Sequence, residues 1–246
     1  MPKRPADLIS SRENRWFRRF LDASLHHRDE VVLEGPKQIA DALARGWSPI
    51  AFATAPAVDA PDAAPVFRFS PALMRALTDA RHPQGLLALF ERPAASLAVV
   101  LAGARLIVVL DGVQDPGNVG TIIRTAAAFG ASGVLLTEGC ADPFAPKALR
   151  ASAGTALLLP VVGATRTALP NELAQRGIHL YATAAGGREE RIELPAALVF
   201  GSEGQGVSDE LLRRSRVVSI PIAPGVESLN VAAAAAILIH GAMRRP

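Results

Sequence analysis

The sequence predicts an α/β protein of two unequal units, a smaller N-terminal α/β unit and a C-terminal unit built on a mostly parallel sheet. Three observations carry this. From residue 105 onward strand and helix patterns alternate strictly. The segment 106–110, Leu-Ile-Val-Val-Leu, is apolar throughout, as a strand buried on both faces must be. And 246 residues, enough for one to two domains, are interrupted at 91–103 by a stretch of Ala, Pro and Leu with almost no charge. The boundary is placed there, giving units 1–100 and 101–246.

Within the first unit, Trp16, Phe20 and Ser24, with Leu21 and Leu25 beside them, recur at helical spacing. They predict an amphipathic helix that packs its aromatics on the core and turns arginines outward. Residues 34–46 read as a second helix, with Pro36 near its start, Ile39, Ala40 and Leu43 on one face and Gly46 as the stop. A strand at 49–54, a Pro/Ala/Asp loop at 55–65, a short strand at 66–69, a helix at 71–79 and a strand at 85–90 follow. In the second unit the strands are expected at 106–110, 133–137, 156–162, 178–182, 197–200 and 217–220. Helices are expected at 121–129, 146–153, 168–176 and 208–214, and a long Ala-rich helix at 229–243 closes the pattern.

Composition removes several classes of function. Half the residues are hydrophobic and a fifth charged, without a run of about 18 uncharged apolar residues, so disorder and a membrane span are excluded. The single cysteine, Cys140, forms no internal disulfide, and the charged first sixteen residues lack the apolar stretch of a secretory signal, so a cytoplasmic location is expected. Five histidines without ligand spacing leave no metal site; His240 and Cys140 read as packing residues. Of 26 basic residues 23 are arginine, and Lys3, Arg4, Arg12, Arg15, Arg18, Arg19 and Arg28 crowd the first thirty positions among Trp16, Phe17 and Phe20. Arginine's planar fork matches phosphate, so this end of the chain is open to nucleic acid.

Three loops, each just after an expected strand, hold the residues that chemistry would need; open α/β sheets place ligands there. The first runs from Asp111 through Asp115-Pro116-Gly117-Asn118 to Arg124. Asp115-Pro116-Gly117 reads as a turn, Asn118 as an N-cap, and Arg124 as a cation two turns into the helix with no dipole reason to be there. The second, Gly201-Ser202-Glu203-Gly204-Gln205-Gly206, sets one carboxylate among glycines that let a ligand approach the backbone. It mimics a dinucleotide fingerprint, but such a fingerprint opens its domain, and only forty residues follow Gly206. The third leads from Ile220-Pro221 through Pro224-Gly225 to Ser228-Leu229-Asn230-Val231, where Ser228 is also a natural cap for the last helix.

Together and in this order, Asn118 with Arg124, Gly201-x-Glu203-x-x-Gly206, and the run from Pro221 to Val231 closely resemble the three motifs of the SpoU/TrmH family, over residues 106–243. Residues 11–43, with the helix entry Glu34-Gly35-Pro36, are more weakly similar to that family's small substrate-recognition domain. The resemblance implies a trefoil-knotted sheet domain, a homodimer with active sites at its interface, and S-adenosylmethionine-dependent 2'-O-methylation of a ribose in RNA. By the same resemblance Gly201, Ile220 and Leu229 bind the cofactor, Arg124 acts on the ribose hydroxyl, and Asn118, Glu203, Ser228 and Asn230 surround it. Arginine stays protonated in proteins, so we read Arg124 as a phosphate-binding charge that orients and acidifies the hydroxyl rather than as the base. Ribosomal RNA is the expected substrate, with transfer RNA, or a non-catalytic RNA-binding protein of the same fold, as the alternatives.

Overall fold

A computed structural model describes residues 8–26, 29–78, 80, 82–188 and 191–244, with the backbone alone at 185–188. By contacts the chain divides into residues 1–93 with 144–146, and 94–143 with 147–246.

The first unit is a four-stranded sheet with helices. Helix α1 (Arg15–His26) is capped by Asn14, whose side-chain oxygen accepts from Trp16 N at 2.9 Å and Phe17 N at 3.4 Å. Its buried stripe is Phe17, Phe20 and Ala23, with Trp16 half-buried and Leu25 exposed, a rotation from the expected one. Tertiary packing explains the rotation. Phe17 and Phe20 both meet Phe69 edge-on, at centroid distances of 6.0 and 6.2 Å, which pulls that side of the helix inward.

Strand β1 (Glu30–Glu34) stands where the helix reading began, and helix α2 (Pro36–Ala44) starts only at its proline. Three apolar residues between glutamates carry too little period to show a strand. It exists because it pairs with a partner more than fifty residues on, β4 (Leu86–Glu91), with Val31 opposite Phe90. Between them lie β2 (Pro49–Thr54), β3 (Val66–Arg68) and α3 (Pro71–Ala76), and the sheet order is β1-β4-β2-β3, with only β2 and β3 parallel.

The second unit begins with a short helix, α4 (Leu97–Leu101), inside the stretch read as a boundary. Strands β5 (Leu106–Asp111), β6 (Gly133–Leu136), β7 (Val161–Gly163), β8 (His179–Arg188), β9 (Ala196–Gly201) and β10 (Arg216–Val218) form a sheet in the order β10-β8-β9-β5-β6-β7. Every pairing among them is parallel, as the alternating pattern predicts. The central strands β5 and β9 are buried along their whole length. Their helices are α5 (Pro116–Ala128), α6 (Pro146–Ala151), α7 (Leu169–Ala174), α8 (Asp209–Leu212) and α9 (Val231–Met243). On one face Ile107, Val109 and Leu135 pack with Val100, Leu169, Leu173 and Leu211. On the other, α5 and α9 pack on each other and against β6 and β9.

The expected strand at 156–162 is a short 3-10 turn, Thr155–Leu157, opened by Gly154 in the left-handed conformation at φ 79, and only Val161–Gly163 enters the sheet. Pro160 has no N–H for a ladder, and its carbonyl serves β6 by accepting from Val134 N at 2.9 Å. His240 is exposed and lies against the Phe129 ring, 5.1 Å between centroids, rather than in the core. Cys140 is half-buried with its Sγ 3.1 Å from the Leu110 carbonyl; burial pushes its thiol pKa up. Among the described residues no helix is long and apolar enough to cross a membrane.

Candidate active site

Parallel pairing puts the carboxyl ends of neighbouring strands side by side: Asp111, the last residue of β5, stands opposite Gly201, the last of β9. The loops that leave these ends therefore meet. Helix α5 starts five residues earlier than expected. Asp115, not Asn118, is its cap, accepting from Asn118 N at 2.9 Å, and Pro116 takes the first helical position, where a missing N–H costs nothing. The carboxylate of Asp115 also pairs with the Lys147 ammonium at 2.6 Å, which holds it below its usual pKa. The Asn118 amide, freed from capping, projects from the first turn of the helix. At α9 the cap is Asn230 rather than Ser228; its side-chain oxygen accepts from Ala232 N at 2.9 Å and Ala233 N at 3.3 Å.

The loop after β9 is closed on itself: Ser202 N donates to the Gly206 carbonyl at 3.1 Å and Gly206 N to the Ser202 carbonyl at 2.9 Å. Gly206 has φ 69, in the left-handed region. A Cβ on Gly201 would lie 2.0 Å from the Gly206 carbonyl carbon and 2.2 Å from Val207 N. The space that Gly201 leaves is thus filled by the loop's own backbone, a reason for glycine that differs from the close ligand approach expected of it.

These three loops are joined by one chain of side-chain hydrogen bonds. The Asn118 amide N–H donates to the Glu203 carboxylate, and the Asn230 amide N–H donates to the Asn118 side-chain oxygen at 3.2 Å. The direction of the chain is set at both ends. A carboxylate only accepts and helix N–H groups only donate, so each amide has a single orientation compatible with both neighbours. The structure thereby brings together Asn118, Glu203 and Asn230.

Arg124 and Ser228 stand apart from that chain. Arg124 is exposed and, among the described residues, makes no hydrogen bond or ion pair. At about 3.6 residues per turn it shares a face of α5 with Gly117 and Thr121, some way around the axis from Asn118. Ser228 and Leu229 are exposed, and Ile220, expected inside the last strand, is half-buried in the loop beyond β10. That loop also exposes Ile222, at 40%, and Val226, at 51%.

A second cluster was not assigned from the sequence. Asp111 is 2% exposed, yet its carboxylate accepts from the Thr137 hydroxyl at 2.7 Å, the Arg166 Nε at 2.6 Å and the Ser208 backbone N–H at 2.7 Å. Burial disfavours its charge, but the Ser208 N–H, Thr137 and Arg166 outweigh burial and hold the carboxyl below the usual range. Arg166 also donates to the Glu138 carbonyl at 2.5 Å. The one local signal was a charge ending an otherwise apolar strand; its partners, 26, 55 and 97 residues away, carried none.

In the first unit, Arg18 pairs with Glu13 and Arg19 with Glu30. Arg12 and Arg15 are exposed, with the Arg15 guanidinium 5.8 Å from the Trp16 ring centroid. Lys3, Arg4 and Arg28 lie outside the described residues.

A chain of amides joining three loops at the carboxyl edge of a parallel sheet defines an α/β enzyme-like site, and comparison with known proteins supplies the family. Residues 105–240 match the SpoU rRNA Methylase family. The chain belongs to that family. It is 46% identical over 150 residues to an uncharacterized tRNA/rRNA methyltransferase of Synechocystis, covering 58% of this chain and 54% of that one. It is 39% identical over 170 residues to the 23S rRNA (guanosine(2553)-2'-O)-methyltransferase RlmP of Bacillus subtilis, covering 67% of each. The chain thus spans between half and two thirds of the length of these relatives. Among solved structures it resembles the SpoU methyltransferase AviRb of Streptomyces viridochromogenes in complex with AdoMet, with a TM-score of 0.85 and 26% identity over 94% of this chain and 97% of that one.

Proposed function

We propose that this protein transfers a methyl group from S-adenosylmethionine to a ribose 2'-hydroxyl of RNA, with ribosomal RNA as the substrate, and that it works as a cytoplasmic homodimer with the trefoil-knotted topology of its family. The observation that carries this is the Glu203–Asn118–Asn230 chain, which draws all three family motifs into one place. A non-catalytic RNA-binding protein has no use for it. The family membership of residues 105–240 and the 23S rRNA activity named for the Bacillus relative support the substrate class.

The residues present fit the cofactor. Adenosine asks for main-chain hydrogen bonds and flat apolar walls. The loop at 219–230 offers the apolar walls, since Ile222, Val226 and Leu229 expose 39 to 51% of their surface, and its backbone lies open at 221–230, where every residue is exposed. Ile220 and Leu229 would hold the cofactor, with Gly201 shaping the loop beside it, and the cofactor supplies an electrophilic methyl group when bound.

The chain's own residues then have positioning to do. Arg124, exposed and without a partner among the described residues, binds the phosphate beside the target ribose and lowers the hydroxyl's pKa; the proton leaves to phosphate or water. Asn118 and Asn230 fix the ribose, Glu203 fixes Asn118, and Ser228 borders the hydroxyl. Alignment of this kind can contribute up to roughly 7 to 11 kcal/mol. The first unit, with Arg12 and Arg15 outward on or beside α1, is the RNA-recognition part.

Two measurements test the proposal. Calorimetry with S-adenosylhomocysteine should show binding. Mass-spectrometric mapping of ribose methylation in total RNA from a deletion strain should show one 2'-O-methyl group missing from ribosomal RNA. A full complement of ribose methyl groups in that strain would refute the activity, and a gap in transfer RNA alone would refute the substrate.

A further inference from the structure

The buried carboxylate of Asp111 has no part in the chemistry above, yet it joins the segments that carry that chemistry's residues. Its backbone ends β5 and turns at Gly112, φ 68, into the segment that starts α5 and carries Asn118. Its side chain holds Ser208 N at 2.7 Å, the residue at which the Glu203 loop ends and α8 begins. One residue thus grips both sides of the Asn118–Glu203 hydrogen bond, one through the main chain and one through the carboxylate.

The grip engages both carboxylate oxygens through three hydrogen bonds. Thr137 just after β6 and the Arg166 Nε after β7 share Oδ1, while Ser208 N takes Oδ2. Arg166 is itself fixed by the Glu138 carbonyl at 2.5 Å and by the Glu138 carboxylate at 3.5 Å. A charge this buried is tolerated only when paired and fully hydrogen-bonded. An apolar side chain at position 111 would leave Ser208 N without this acceptor.

We infer that the Asp111–Arg166 ion pair is a positioning device for the methyl-transfer site, setting the Glu203 loop against Asn118. The inference rests on Glu203 serving catalysis as proposed above. Neither Asp111 nor Arg166 touches the substrate; both act through Glu203.

The test is a double-mutant cycle on the full chain, with total RNA from the deletion strain as methyl acceptor. Asp111→Asn cannot accept at both oxygens, so turnover should fall about tenfold while S-adenosylhomocysteine affinity stays within about twofold, since small displacements of catalytic groups cost rate. Combined with Glu203→Ala, which removes the acceptor, Asp111→Asn should lower kcat by less than about twofold further, because its effect passes through Glu203, whereas Asp111→Asn should still lower the Tm. Arg166→Lys keeps the charge and loses the fork. It should show the same non-additivity with a smaller loss, and it carries the cycle alone if Asp111→Asn does not fold. Multiplying kcat losses, or unchanged turnover in folded Asp111→Asn, would overturn the positioning role while leaving the active site as described. Unchanged turnover in Glu203→Ala would overturn the site itself, and the positioning role with it.

Discussion

Replacing Gly201 by alanine pits the new methyl group against main chain. Its Cβ would stand 2.0, 2.2 and 2.2 Å from the Gly206 carbon, the Gly206 oxygen and Val207 N, where ordinary contact begins at 3.4 Å. The loop must therefore move by about 1.4 Å, and it is tied at 202–206 by two backbone bonds and at Ser208 by Asp111. Overpacking of this kind costs about 1–3 kcal/mol, and each kcal/mol lowers the Tm of a chain this size by about 2–4 °C. The same shift carries Glu203 away from Asn118, and misplacement by about 1 Å is worth up to a hundredfold in rate. Two neighbours in the loop are built-in controls. Gly204 faces open space, so Gly204→Ala should behave as wild type. Gly206 also faces open space but has φ 69, so Gly206→Ala should cost about 1–2 kcal/mol from backbone strain alone. Single-turnover methylation and thermal melts on the three variants should rank Gly204→Ala, Gly206→Ala and Gly201→Ala in order of increasing damage. If Gly201→Ala turns over like Gly204→Ala, the loop is not the rigid carrier of Glu203 that its contacts describe.

Other perturbations separate capping, charge and titration. Asn230→Asp keeps a good cap for α9 but cannot donate to Asn118, so Tm should hold while turnover falls at least tenfold; a matching loss of Tm and rate would make Asn230 a cap and nothing more. Arg124→Lys should keep partial activity and Arg124→Ala should lose about 3–4 kcal/mol of transition-state stabilisation with little change in cofactor affinity. Rescue of the alanine variant by a small neutral amine, with guanidinium failing, would instead make Arg124 the proton acceptor. Asp111 and Asp115 titrate below their ordinary value in the folded chain. Their stabilisation is complete above the unfolded carboxylate pKa, about 3.9, and is lost as pH falls through the lower folded values. Melts between pH 6 and pH 3 should therefore show a steeper fall for wild type than for Asp111→Asn, and equal slopes would contradict it.

Much of the fold was legible because periodicity is a local property. Strand β2 was read to the residue, and the apolar run at 106–110 announced a central parallel strand. Three motifs in order identified the family, and with it Asn118, Glu203 and Asn230, since their types and spacing are written in the chain. Tertiary structure alone decided the rest. Strand β1 needed its partner β4, and the face that α1 buries needed Phe69. The caps of α5 and α9 turned on which of two polar side chains a few residues apart folded back, a local choice that residue type leaves open: Asp115 and Asn230 took the helix N–H groups, leaving Asn118 and Ser228 for other roles. Asp111 stayed silent because a carboxylate at the end of a strand has no meaning without its donors, and these arrive from segments 26, 55 and 97 residues away. Residue type and spacing show what chemistry a chain can perform; which groups meet depends on contacts across sequence distances that no local pattern encodes.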